Sequence, residues 1–161
     1  MISTDVFEPD KNNIYKCVYY RDSKGRTLRK LLLDDFGTVI KDFLYERCER
    51  GLIVYVALYG KDHITLIGER TYQYFVESSR CKLTEDCIFE NGQKIMIRKA
   101  VHNYDDQNRT NRVDLYGRDD KFFGYQVYGY IGDDDFMSLI GCFDKSDNRV
   151  SCLSLEDEKI F

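Results

Sequence analysis

The chain has no run of about 18 apolar residues, so no transmembrane helix is expected. Its first residues, Met1-Ile2-Ser3-Thr4-Asp5-Val6-Phe7-Glu8, offer neither a basic stretch nor an apolar one, which argues against a signal peptide. No Cys-x-x-Cys occurs, and with only His63 and His102 to supplement six cysteines no zinc spacing is present. Neither glycine-rich phosphate-binding loop occurs, so nucleotide chemistry of the common kinds has no motif to rest on. Tryptophan is absent and there is one proline, against thirteen tyrosines. Nothing in this profile demands a metal or a cofactor, and none is expected. These exclusions place the chain in the cytoplasm, with thiols reduced and buried as small hydrophobes.

What is present is a β-rich composition. Residues of types AVILMFWYC make up 43% of the 161, enough for a core, and the length suits a single domain spanning 1–161. Tyrosine, phenylalanine, valine and isoleucine favour strands. Polar residues 1–12 and the charged 156–161 read as loose termini. Strands are expected over 13–20, 27–32, 52–59, 63–68, 84–89 and 94–101. Beyond a polar loop at 102–111, more follow over 112–116, 122–131, 136–143 and 150–155. Asn91-Gly92 is the strongest two-residue hairpin signal. Three segments share an apolar run, a glycine, acidic residues and a second apolar run: Tyr59-Gly60-Lys61-Asp62, Tyr116-Gly117-Arg118-Asp119 and Ile131-Gly132-Asp133. Each reads as a hairpin with an acidic tip, its glycine supplying positive φ.

One helix is expected over about residues 35–50. Phe36, Val39, Ile40, Phe43 and Leu44 recur at three and four, Asp34 or Asp35 can cap the start, and Gly51 can end it. Arg47 and Arg50 would favour its C-terminal dipole. The fold so assembled is α+β and predominantly antiparallel: a strongly curved sheet or small barrel of hairpins packed on one amphipathic helix. Its core would hold Val39, Ile40, Phe43, Val54, Val56, Leu58 and Ile67.

Four kinds of chemistry can be set against this frame. His63-Ile64-Thr65 resembles one H-x-T element of the 2H phosphoesterases. In that family two such elements pair, each histidine acting as acid or base and each threonine holding phosphate. The resemblance implies a phosphodiesterase role for His63 and Thr65, but His102-Asn103-Tyr104 lacks the second hydroxyl. A cysteine nucleophile has no local signature here. The first hairpin carries Arg21, Lys24, Arg26, Arg29 and Lys30 beside Tyr15, Tyr19 and Tyr20, the mixture of a single-strand nucleic-acid surface. Asp133-Asp134-Asp135 could meet a hard cation but lacks alternating ligand spacing.

Charge favours a protein partner instead. The formal charge is −4, and residues 101–161 hold seven Lys/Arg against thirteen Asp/Glu, so that half would repel phosphates. It can attract a basic protein surface. Tyrosine is over-used at interfaces. Asp119, Asp120, Asp133, Asp134, Asp135, Tyr116 and Tyr130 are the expected contact residues. The profile is similar in general style to toxin immunity proteins and phage anti-defence inhibitors, which implies a non-enzymatic inhibitor of a basic-surfaced nuclease or toxin.

Overall fold

The computed structural model describes residues 2–10, 13–130 and 137–152. Twelve strands carry the chain: β1 (Ile2–Asp10), β2 (Asn13–Arg21), β3 (Thr27–Leu33), β4 (Val39–Arg47), β5 (Ile53–Tyr59), β6 (Leu66–Tyr74), β7 (Cys81–Glu90), β8 (Gln93–Tyr104), β9 (Thr110–Tyr116), β10 (Phe122–Tyr130), β11 (Met137–Asp144) and β12 (Arg149–Val150). The chain divides into two compact units, Met1–Thr71 with Phe89–Gly92 and Tyr72–Ile88 with Gln93–Phe161.

In the first unit β1 to β6 pair antiparallel in chain order, Tyr19 facing Lys30, Lys30 facing Phe43, Phe43 facing Leu58 and Leu58 facing Gly68. In the second, β8 to β12 pair in the same way, Ala100 facing Leu115 and Leu115 facing Gly124. Neither meander closes into a barrel: among the described residues no pairing joins the first strand of a unit to its last. β1 occupies sequence that reads as a loose terminus.

No α-helix occurs among the described residues; a 3-10 turn lies at Arg118–Asp120. The helix expected over 35–50, and with it the α+β class and the barrel, is therefore corrected to a tight turn, strand β4 and a second tight turn. The apolar positions of this stretch satisfy two periods at once. Phe36, Val39, Ile40, Phe43 and Leu44 fit a helix, but Val39, Lys41, Phe43 and Tyr45 also alternate with Ile40, Asp42 and Leu44. Phe43 and Asp42 are buried, whereas Phe36 is 94% exposed in the turn and Ile40 37% exposed. Of the other expected core positions Val56 and Leu58 are buried, while Val39, Val54 and Ile67 are half-buried.

The turns decide the outcome. Five of them repeat one scheme, in which the first residue's N–H donates to the carbonyl four residues on and its own carbonyl accepts from the N–H three residues on. They begin at Asp22, Asp34, Cys48, Asp105 and Asp144. The fourth residue is left-handed each time: Gly25, Gly37, Gly51, Asn108 and Asp147, at φ between 62° and 81°. In four of the five an aspartate stands first, and its Oδ1 accepts two further backbone N–H groups. Asp34 takes those of Phe36 and Thr38, and Asp105 those of Gln107 and Arg109. The carboxylate satisfies donors that the turn would otherwise leave open. So Asp34 is a turn clasp and not a helix cap. Gly51 does take positive φ, but inside a hairpin, where Arg47 Nη1 donates to its carbonyl at 2.9 Å.

Asn91 and Gly92 are both left-handed, at 52° and 77°, as a two-residue hairpin turn requires. The acidic tips behave otherwise. At Gly60 and Gly117 the backbone is not left-handed; His63, Asp119 and Asp120 take positive φ in their place.

Cys142 and Cys152 form a disulfide, a correction to the all-thiol reading. The β11–β12 turn sets Cys142 opposite Val150, so the residue two beyond Val150 falls on the same face within bonding reach. Cys142 is fully buried in the core cluster of the second unit, with Ala100, Val113 and Leu115, against which Phe123, Tyr128, Val150 and Cys152 pack. Cys17 and Cys87 are buried thiols. The crosslink closes a short loop in the unfolded chain, and for about ten residues that restraint corresponds to about 2–3 kcal/mol. Denaturation with and without reductant should therefore separate by that amount. A Cys152→Ser variant should match the reduced protein and ignore reductant. Superimposable curves would remove the crosslink from the stability of this unit.

Candidate functional site

Two arrangements combine chemistry with exposure, one in each unit. The first is built on β3, β4 and the β5–β6 turn. Asp42 faces Leu31 on one side and Tyr59 on the other, and it is 2% exposed. A carboxylate so buried needs partners. Arg29 supplies a fork, Nε donating to Oδ1 at 2.8 Å and Nη2 to Oδ2 at 2.5 Å. His63 Nδ1 lies 2.7 Å from the same Oδ2 and 3.2 Å from Arg29 Nη2. Burial pushes the Asp42 carboxyl up, but the bonds from Arg29 and His63 outweigh it and hold the group below the usual carboxylate range. The bond to Asp42 raises the Arg29 guanidinium. Tyr20 lies beside that guanidinium, its ring centroid 5.9 Å from Cζ.

His63 is thus not at the start of a strand; β6 begins at Leu66 and His63 sits in the turn before it. Thr65 does not join it. Its Oγ1 donates to Asp62 Oδ2 in a very short contact, and its N–H donates to Asp62 Oδ1 at 2.9 Å. Those bonds hold the Asp62 carboxyl down at about 2. His102 belongs to the second unit, on β8 opposite Val113, with Nε2 buried and lacking a hydrogen-bond partner among the described residues. Burial pushes its imidazole down. Sequence reasoning found His63 but not Asp42 or Arg29 as its partners. The signal was there in part: a lone aspartate amid the apolar alternation of β4 needs a cation on the neighbouring strand.

The basic first hairpin is largely consumed internally. Arg26 pairs with Asp22, Arg29 with Asp42, and Arg21 Nη1 donates to the Gly25 carbonyl. Lys30 lies over the rings of Tyr19 and Phe43.

The second arrangement is a face of the β8–β11 sheet. Directly paired residues share a face, so Val101, Asp114, Tyr125 and Phe143 form one row across four strands. The neighbouring positions Ala100, Val113 and Leu115 turn the other way, into the core. On the outward row Tyr125 stacks on Phe143 with centroids 5.1 Å apart, and Arg112 lies 3.8 Å over the Tyr125 ring. Arg112 Nε and Asn103 Nδ2 both donate to Asp114, at 2.6 and 2.8 Å. The Tyr125 hydroxyl donates to Asp147 Oδ1 at 3.0 Å.

The contact residues expected from sequence are distributed as follows. Tyr116 is half-buried, with Lys99 Nζ 4.5 Å over its ring. Tyr130 is half-buried beneath Arg109, and its hydroxyl donates to the Thr110 carbonyl at 2.9 Å. Asp119 and Asp120 are exposed in the β9–β10 turn, Asp119 bonded to Lys121 and Asp120 in close contact with Lys99. Together with Lys94, Ile95, Met96 and Arg118 they line an open depression of about 490 Å³. Asp133, Asp134 and Asp135 lie outside the described residues. The chain enters that stretch from the end of β10 opposite the Asp119 turn, nine residues away.

Among the described residues no group of three or more His, Cys, Asp or Glu side chains could hold a metal ion. No helix among them is long and apolar enough to cross a membrane. No family model matches the chain, and no curated protein matches it at a significant level.

Proposed function

We propose that this chain is a non-enzymatic, protein-binding inhibitor that covers a basic surface of its partner, in the manner of an immunity or anti-defence protein acting on a nuclease or toxin. The observation that carries this reading is the placement of tyrosine. All twelve tyrosines with described side chains are half-buried; none is sequestered in the core and none is free of the sheet. A half-buried tyrosine is held in place by its neighbours, several through its own hydroxyl, yet keeps part of its ring for a partner. That gives contact area at low entropic cost. The formal charge of about −6 over residues 101–161 supplies attraction toward a basic surface.

The test begins with affinity capture from the native host, followed by inhibition assays on the captured partner. Tyr125→Ala, on the outward row, is expected to speed dissociation and weaken binding by about 10-fold or more, as loss of an aromatic anchor does. Reversing Asp119, Asp120 and Asp133 to Asp135 to lysine is expected to slow association and flatten its salt dependence, with the fold intact. A partner that binds both variants as it binds the parent chain would refute the assignment. So would a captured partner whose activity the chain does not reduce.

A further inference from the structure

We propose that Arg29 and His63, held by the buried carboxylate of Asp42, form a binding site for the phosphoryl group of a small phosphate ester. This site lies in the first unit and is independent of the protein-binding face assigned above.

The fold does not need His63. Arg29 alone satisfies both oxygens of Asp42 through its fork, so the imidazole is a third donor onto a carboxylate already bonded. Nor does the turn need it. His63 stands at φ 59°, in the left-handed role that other turns give to Gly25, Gly37, Gly51, Asn108 and Asp147. Its N–H donates to the carbonyl three residues back, as theirs do. Histidine tolerates this region as asparagine and aspartate do, so the backbone itself gives no reason for an imidazole rather than another such residue.

What the side chain does is set one imidazole edge and one guanidinium edge side by side. Among the described residues Arg29 Nη1 and His63 Nε2 have no hydrogen-bond partner, and the two side chains are 39% and 38% exposed. With Nδ1 directed at Asp42, Nε2 is the ring nitrogen left to face a ligand. A phosphate ester can answer both groups: one P–O⁻ oxygen accepts from Nη1, and another oxygen meets Nε2 either as an acceptor or through a P–OH. A carboxylate offers two oxygens and a single charge, so it answers fewer of these contacts. The Tyr20 ring beside Arg29 limits the guanidinium's freedom before any ligand arrives.

The test uses the full chain with phenyl phosphate and benzoate as probes, at fixed ionic strength. Imidazole nitrogen and guanidinium resonances are followed by NMR, and affinity by calorimetry. Phenyl phosphate is expected to saturate at low-millimolar concentration, moving His63 and Arg29 signals while His102 stays still. Benzoate is expected to bind at least about 10-fold more weakly. His63→Asn keeps the turn, since Asn108 already occupies the matching position, and should weaken phenyl phosphate about 10-fold without unfolding. Arg29→Lys keeps charge but loses the fork and should do likewise. Phosphate binding that does not saturate, benzoate binding as tight as phenyl phosphate, or His63→Asn binding at parental strength would each overturn the site.

Discussion

Truncating Leu58 to alanine will destabilise the first unit by about 3–5 kcal/mol, and Leu115→Ala will do the same to the second. Both side chains are fully buried, at 0% exposure. Their neighbours explain why the cost should reach the upper part of the range for such changes. Leu58 is flanked across the sheet by Phe43 and Gly68, and Leu115 by Ala100 and Gly124. Gly68, Ala100 and Gly124 have no side chain that can swing into the vacated space, so on those sides the cavity stays open. Hydrogen exchange reads the result unit by unit. Protection should fall over β5 in Leu58→Ala and over β9 in Leu115→Ala. Leu28→Ala, at a position 43% exposed, should cost less than about 1 kcal/mol. If Leu58→Ala costs no more than Leu28→Ala, the sheet does not depend on this core.

Local signals carried most of the strand positions. The Asn91-Gly92 hairpin, the apolar run that became β5 and the alternating stretches of β2, β3, β9 and β10 are all legible from residue types and punctuation. What misled was period. From Phe36 to Leu44 the apolar spacing fits a helix about as well as a strand, and no local energy separates the two. The separating signal was the spacing of turns. Asp22-x-x-Gly25 is followed twelve residues later by Asp34-x-x-Gly37, and after fourteen more by Cys48-x-x-Gly51. Two turns of the same build so close together leave room for one strand between them, and a nine-residue strand is what β4 is.

The candidate sites were legible in proportion to how local they are. His63 was singled out because His63-Ile64-Thr65 resembles an H-x-T element, a pattern that lies within three consecutive residues. Its partners come from other strands, and their distance in sequence, 21 residues for Asp42 and 34 for Arg29, hides them until the register is known. The outward row of Val101, Asp114, Tyr125 and Phe143 is likewise a product of pairing. The disulfide was obscured for a related reason: Cys142 and Cys152 become neighbours only because the β11–β12 turn closes between them.

Arg29→Ala should be the most damaging charge deletion in the first unit, costing about 3 kcal/mol at neutral pH, whereas His63→Asn should cost less than about 1. The asymmetry follows from what each leaves behind. Without Arg29 the buried carboxylate of Asp42 loses its fork and keeps a single donor, and an under-compensated buried charge is expensive. Without His63 both Asp42 oxygens remain bonded, and asparagine also tolerates the backbone at φ 59°. The pH dependence distinguishes this account from simple loss of packing. In the parent chain the Asp42 carboxyl lies below its unfolded value, so the stability it contributes is present above that value and lost as pH falls through the folded one. In Arg29→Ala the larger part of the depression is removed and burial is opposed by the His63 bond alone, so the balance moves toward the neutral acid. The penalty should therefore be largest near neutrality and shrink as pH drops below about 4, where the parent's advantage also disappears. Urea denaturation of parent and variant across this range measures it. A penalty that stays constant from neutral to acid pH would assign the role of Arg29 to its aliphatic stem, and the buried carboxylate would no longer be what holds β3 to β4.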